Sequence, residues 1–190
     1  MSKINKQLDL FSKTHPLWGY PIRDGKVPFV DQVETFNETF GKPNNYTPTI
    51  PDDQKLLDFV VNFILEETEE LKHAIEEKDI VEVLDAICDL LYVAIGNATM
   101  VFGLKDKLVD AFMEVQASNM SKTCSTHSEA LETIDACLEQ HGPCYTKQVG
   151  DVWIVYRESD DKVMKSINYF RPDLKQFFTP EEIEKLSKTL

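Results

Sequence analysis

Glu66-Glu67-Thr68-Glu69-Glu70-Leu71-Lys72-His73-Ala74-Ile75-Glu76-Glu77-Lys78-Asp79-Ile80-Val81-Glu82-Val83-Leu84-Asp85-Ala86-Ile87-Cys88-Asp89 is the stretch on which the reading of the fold turns. It holds ten acids and two lysines, a net of -8, within a 190-residue chain whose formal charge is -13. Helical periodicity runs through it twice, from Gln54 to about Glu77 and from about Ile80 to Phe102. Lys78-Asp79 is the break between the two helices. So short a connection makes them antiparallel neighbours.

At about 100° per residue, Glu66 and Glu67 lie roughly 40° and 60° to either side of Glu70. Leu56, Phe59 and Phe63 extend that face upstream at helical spacing. On the second helix Glu82, Asp85 and Asp89 lie within about 60° of one another, and Tyr92 and Gly96 continue their stripe. Antiparallel packing then brings acids near the end of one helix opposite acids near the start of the next. Carboxylates that converge in this way repel and do not all stay ionised without a cation. Hard divalent ions with oxygen ligands, Mg²⁺ or Mn²⁺, are the natural remedy. Such ions also bind phosphate oxygens, which points to metal-dependent attack on a nucleotide polyphosphate. Glu69, Glu76, Glu77 and Asp79 read more simply as a solvated helix face.

The totals narrow the alternatives. The chain has 33 acidic and 20 basic residues, which argues against nucleic acid and anionic membrane as partners. The uncharged run Leu90 to Leu104 is shorter than the roughly 20 apolar residues of a membrane span, and it reads as a buried helix. The start, MSKINKQLDLFSK, has no apolar core of a secretory signal. Cys88, Cys124, Cys137 and Cys144 form no CxxC pair and read as cytosolic thiols, so a cytoplasmic protein is expected.

Outward from the central stretch, three regions are expected: an irregular arm over 1–28, a helical domain over 29–122 and an extension over 123–190. Prolines break up the arm. Phe29 to Phe40 reads as a short amphipathic helix stopped by Gly41, and Lys42 to Pro51 as a loop. Further helices are predicted from Lys105 to Met120 and from Ser128 to Gln140. In the tail, Asp151 to Arg157 and Val163 to Ser166 read as a β-hairpin, with Tyr145 to Val149 as an additional strand. Thr179-Pro180 opens a last short helix. The fold class is therefore mainly α, an antiparallel helix bundle with a small C-terminal hairpin.

Glu67-Thr-Glu-Glu70 and Glu82-Val-Leu-Asp85 resemble the ExxE and ExxD motifs of the all-α nucleoside triphosphate pyrophosphohydrolases, the group of MazG, dimeric dUTPases and phosphoribosyl-ATP pyrophosphohydrolase. Glu66 matches a glutamate that precedes ExxE in several relatives. Asp89-Leu90-Leu91-Tyr92 also resembles the run that follows the family aspartate, so Asp85, Asp89 or both fit the metal position. The resemblance covers Phe29 to Lys122, and Glu114 to Lys122 is similar to a phosphoribosyl-ATP pyrophosphohydrolase-like branch common in phages and bacteria.

This resemblance implies hydrolysis of a nucleoside triphosphate to monophosphate and pyrophosphate, with water attacking the α-phosphorus. It implies Glu66, Glu67 and Glu70 as catalytic residues and Glu67, Glu70, Glu82, Asp85 and Asp89 as ligands of Mg²⁺, with Mn²⁺ as a substitute. It implies Asn119 and Lys122 as substrate contacts and a homodimer or homotetramer. Lysine suits a phosphate as a point charge, and asparagine suits a base edge or a phosphate. Gln32, between Phe29 and Phe36 on one helix face, suits a base through its amide and the flanking rings. Asn97, in the uncharged run, needs a hydrogen-bond partner if buried. Two other functions stay open: hydrolysis of phosphoribosyl-ATP, and a non-catalytic acidic helical module that binds metal or a basic partner.

Overall fold

The computed structural model describes residues 29–42 and 44–187; the arm expected over 1–28 lies outside them. The described residues form two compact units, one ending at Asp106 and the other beginning at Lys107. Mainly helical structure with one small antiparallel sheet is what the sequence predicts.

The first unit is built on α1 (Phe29–Thr39), α2 (Gln54–Glu77) and α3 (Ile80–Met100). The Asp53 side chain accepts from the N–H groups of Lys55 and Leu56 and so starts α2. Lys78 ends that helix in the left-handed region, at φ 59°, where its N–H turns back to the Ala74 and Ile75 carbonyls. Asp79 then starts α3 by accepting from Val81 and Glu82. The two-residue break thus caps both helices and folds them into one hairpin.

The seam between α2 and α3 is rotated from the stripe read in the sequence. On α2 the buried residues are Val60, Glu67 and Ala74, at intervals of seven. On α3 they include Ala86, Val93 and Asn97. Phe59 is half exposed and Phe63 only partly buried. Spacing alone does not separate the seam from its flank, because Phe59 and Val60 are neighbours on a helix and both apolar.

α1 packs on α3 through Val33, which is buried against Gly96. A Cβ added at Gly96 would stand 3.4 Å from the Val33 Cγ1. The loop after α1 is pinned to the end of α3: the Asn45 and Thr49 N–H groups donate to the Thr99 and Phe102 carbonyls. Gly103, at φ +64°, lets the backbone pass so close that a Cβ would meet the Thr47 oxygen at 2.3 Å. Lys105 closes the unit by pairing with Asp31 at 3.1 Å and with Glu34.

The second unit carries most of α4 (Lys105–Met120), then α5 (His127–His141), β1 (Cys144–Val149), β2 (Val152–Arg157), a 3₁₀ turn (Leu174–Phe177) and α6 (Pro180–Ser187). At the start of α5 the Thr126 hydroxyl accepts from the Glu129 N–H, and the Glu129 carboxylate accepts from the Ser125 N–H. Its core packs Cys124, Ala130, Cys137, Val155 and Met164, with Trp153 at the edge. All four cysteines are free.

The hairpin differs from its expected pairing. β2 pairs along its length with β1, from Cys144↔Arg157 to Val149↔Val152, across the turn Gly150-Asp151. The segment expected to be its partner, Val163 to Ser166, contributes one isolated bridge, Tyr156↔Val163. The physical reason lies in Ser166, which is buried and donates to the Ser121 carbonyl at 2.9 Å. That bond draws the chain away from the strand edge after Met164.

Candidate active site

The carboxylates of the hairpin sit along one flank of the α2–α3 seam. Taking Glu67 as the seam residue of α2, Glu70 and Glu66 lie roughly 60° and 100° to one side of it. Taking Ala86 as the seam residue of α3, Asp89 and Asp85 lie roughly 60° and 100° to the same side. Corresponding sides meet in an antiparallel pair, so the four acids share one flank. Their level matches too, since Glu67 is eleven residues before Lys78 and Asp89 ten after Asp79.

Glu67 is the exception on the seam itself: its residue is only 8% exposed. Burial pushes its carboxyl pKa up, and the charges of Glu70, Asp89, Glu66 and Asp85 push it further. Five of the six acids read from the sequence thus lie on the seam or its one flank, and the charges of the other four act on Glu67. Glu82 lies nearer the hairpin turn, exposed, with its N–H bonded to the Asp79 side chain at 3.3 Å.

The donor set is one of hard carboxylate oxygens, which fits Mg²⁺ or Mn²⁺ in kind. A carboxyl held on the seam under four like charges is what a divalent cation would relieve. As the side chains stand, no three His, Cys, Asp or Glu residues among the described residues are grouped closely enough to hold a metal ion.

Aromatic rings border the same region of the first unit. Phe36 meets Tyr92 edge-on at 5.5 Å and lies 4.4 Å from Phe40. Phe59 and Phe63 are 5.5 Å apart on α2. Tyr92 and Gly96 follow Asp85 and Asp89 along α3, so the acidic flank runs toward the α1 contact. Gln32 is exposed on α1, next to Val33.

Asn119 and Lys122 belong to the second unit. The Lys122 ammonium donates to the Asn119 amide oxygen at 2.8 Å, beyond the end of α4. Asn97 departs from expectation: it is 5% exposed, yet its Nδ2 has no hydrogen-bond partner among the described residues. Two polar groups of the first unit had no signature in spacing. Asn37 is buried and donates to Asn44 at 2.9 Å, and Lys105 is held between Asp31 and Glu34. Their partners come from loops and neighbouring helices, which periodicity does not register.

No helix among the described residues is long and apolar enough to cross a membrane. Residues 33–119, which contain all the acids of the flank, match the family described as phosphoribosyl-ATP pyrophosphohydrolase. No curated protein matches the chain.

Proposed function

The match over residues 33–119 places the chain in the all-α nucleoside triphosphate pyrophosphohydrolase superfamily, and from that premise we propose that it hydrolyses a nucleoside triphosphate to monophosphate and pyrophosphate. A pyrophosphohydrolase-type activity follows from the family; the substrate and the metal are our reading. The observation that carries it is the buried Glu67 carboxyl, whose pKa is raised by burial and then by Glu70, Asp89, Glu66 and Asp85.

Glu67, Glu70, Asp85 and Asp89 would hold Mg²⁺, with Glu82 completing the set from the hairpin turn. When bound, Mg²⁺ neutralises the triphosphate and makes a coordinated water more acidic. Glu66, exposed beside Glu67, would take a proton from the attacking water. Glu67 and Glu70 fix that geometry from the rigid α2 scaffold. Asn119 and Lys122 would contact the substrate, and Gln32 with the rings of α1 would face the base. The protein would act in the cytoplasm as a homodimer or homotetramer.

A second reading, hydrolysis of phosphoribosyl-ATP, is favoured by the description of the matched family. One panel separates the two: nucleoside and deoxynucleoside triphosphates and phosphoribosyl-ATP, each with Mg²⁺, assayed for pyrophosphate. Highest activity on a triphosphate supports the first reading, and highest activity on phosphoribosyl-ATP supports the second. Metal binding without any turnover leaves a non-catalytic acidic module.

A further inference from the structure

The second unit carries a cluster of cations that the carboxylate flank does not use. The segment from Lys165 to Arg171 is stitched to the end of α4 by three hydrogen bonds. Ser166 Oγ donates to the Ser121 carbonyl at 2.9 Å, the Phe170 N–H donates to Ser121 Oγ at 3.2 Å, and Ser118 Oγ donates to the Phe170 carbonyl at 2.9 Å. These bonds hold the segment beside Lys122. They also set Tyr169 in the middle of it, with its hydroxyl 3.4 Å from Ser118 Oγ and the Lys165 ammonium 4.6 Å from its ring centre.

We propose that Lys122, Lys165, Arg171 and the Tyr169 hydroxyl form an anion subsite that takes the phosphate chain of a nucleotide. In a chain with 33 acidic and 20 basic residues, cations normally find carboxylates. Among the described residues, Lys122, Lys165 and Arg171 have no ion pair with an acid. Glu114 accepts from the Asp173 N–H at 2.9 Å, and Asp173 from the Lys175 N–H at 3.2 Å. Three unpaired cations repel unless an anion joins them. The Ser118 hydrogen bond first, and then the charges of Lys165, Lys122 and Arg171, pull the Tyr169 hydroxyl below its ordinary pKa against the opposing effect of burial. A more acidic phenol is a stronger donor to a phosphate oxygen, and arginine adds a planar fork that fits one.

The assignment deepens the proposed function and rests on it only for the identity of the nucleotide. The test is titration of the full chain with inorganic pyrophosphate in EDTA, where the carboxylates have no metal through which to bind it. Wild type should bind, and Lys165→Ala and Arg171→Ala should each weaken binding about tenfold, as the loss of one charge-assisted hydrogen bond predicts. Lys147→Ala, whose lysine lies over Tyr145 5.0 Å from the ring centre, should bind like wild type. Lys165→Arg should keep most of the affinity, which separates a charge requirement from a folding defect. Absence of pyrophosphate binding by wild type, or equal binding by all variants, overturns the subsite. If wild type binds pyrophosphate through these residues but hydrolyses no nucleotide, the subsite stands and the proposed function falls. If it hydrolyses triphosphates with unchanged KM in Lys165→Ala and Arg171→Ala, the reverse holds.

Discussion

Asp89 faces Glu67 across the α2–α3 hairpin, and its charge adds to the burial and the Glu70 charge that raise the Glu67 pKa. An acid of α3 thus bears on the one acid that α2 places in the seam. Ionising Glu67 there is unfavourable, and the proposed divalent cation would relieve that cost.

Replacing Glu67 by Gln should therefore stabilise the metal-free protein. The expected gain is on the order of 1 kcal/mol, or roughly 2–4 °C in Tm for a chain of this size. Wild type should gain Tm on addition of Mg²⁺, and Glu67→Gln should gain much less. Thermal melts in EDTA and in Mg²⁺ check both. A variant that melts lower than wild type in EDTA would mean that Glu67 is a structural acid.

Asp85 and Asp89 are both proposed as metal ligands. The Asp89 charge acts on Glu67 more strongly than that of Asp85, because Asp89 lies closer to the seam. Asp89→Asn should lower turnover more than Asp85→Asn, by about 10²-fold against about tenfold, as removal of a metal-held charge against a flanking one predicts. Steady-state rates at saturating Mg²⁺ decide the order. Equal losses would mean that the two share the role.

Gly103 should tolerate no side chain. Its φ of +64° and the 2.3 Å approach to the Thr47 carbonyl oxygen act together. Gly103→Ala should destabilise by about 2–4 kcal/mol. Gly150→Ala, also at positive φ but in open space, should cost only about 1 kcal/mol. Denaturant unfolding of the two variants measures the difference, and equal costs would remove the steric part of the account.

Asp160 carries a pH dependence of known sign. Arg157, foremost, and then the Lys162 N–H hold its carboxyl at about 2, below its ordinary 3.8. A lowered folded-state pKa contributes stability above the unfolded value and loses it as pH falls through the folded one. Asp160→Asn should thus melt lower than wild type at neutral pH, and the gap should close between pH 3.8 and about 2. A gap that stays constant through that window would mean that the Arg157 pair does not stabilise the turn.

The parts of this structure legible in the sequence are those whose cause is local. Lys78-Asp79 reads as a break because a two-residue connection between long periodic runs leaves the helices no choice but to reverse. Gly41, Gly103 and Gly142 mark ends that need positive φ. The acids of the flank could be found by their spacing alone. The seam was not legible to within one residue, since Phe59 and Val60 compete and only packing against α3 chooses Val60. The partner of β2 was misread because Val163 to Ser166 has strand-like residues, whereas the Ser166–Ser121 bond is a contact over 45 residues. Asn97 was expected to satisfy its amide, and the packing around the seam leaves Nδ2 without a partner.

In the proposed reaction the chain directs water onto the α-phosphorus of a nucleoside triphosphate. Hydrolysis in ¹⁸O-labelled water with Mg²⁺, read by mass spectrometry of the products, tests it most directly. The account predicts pyrophosphate free of label and one labelled oxygen in the nucleoside monophosphate. Label in pyrophosphate, or orthophosphate as the first product, would contradict it.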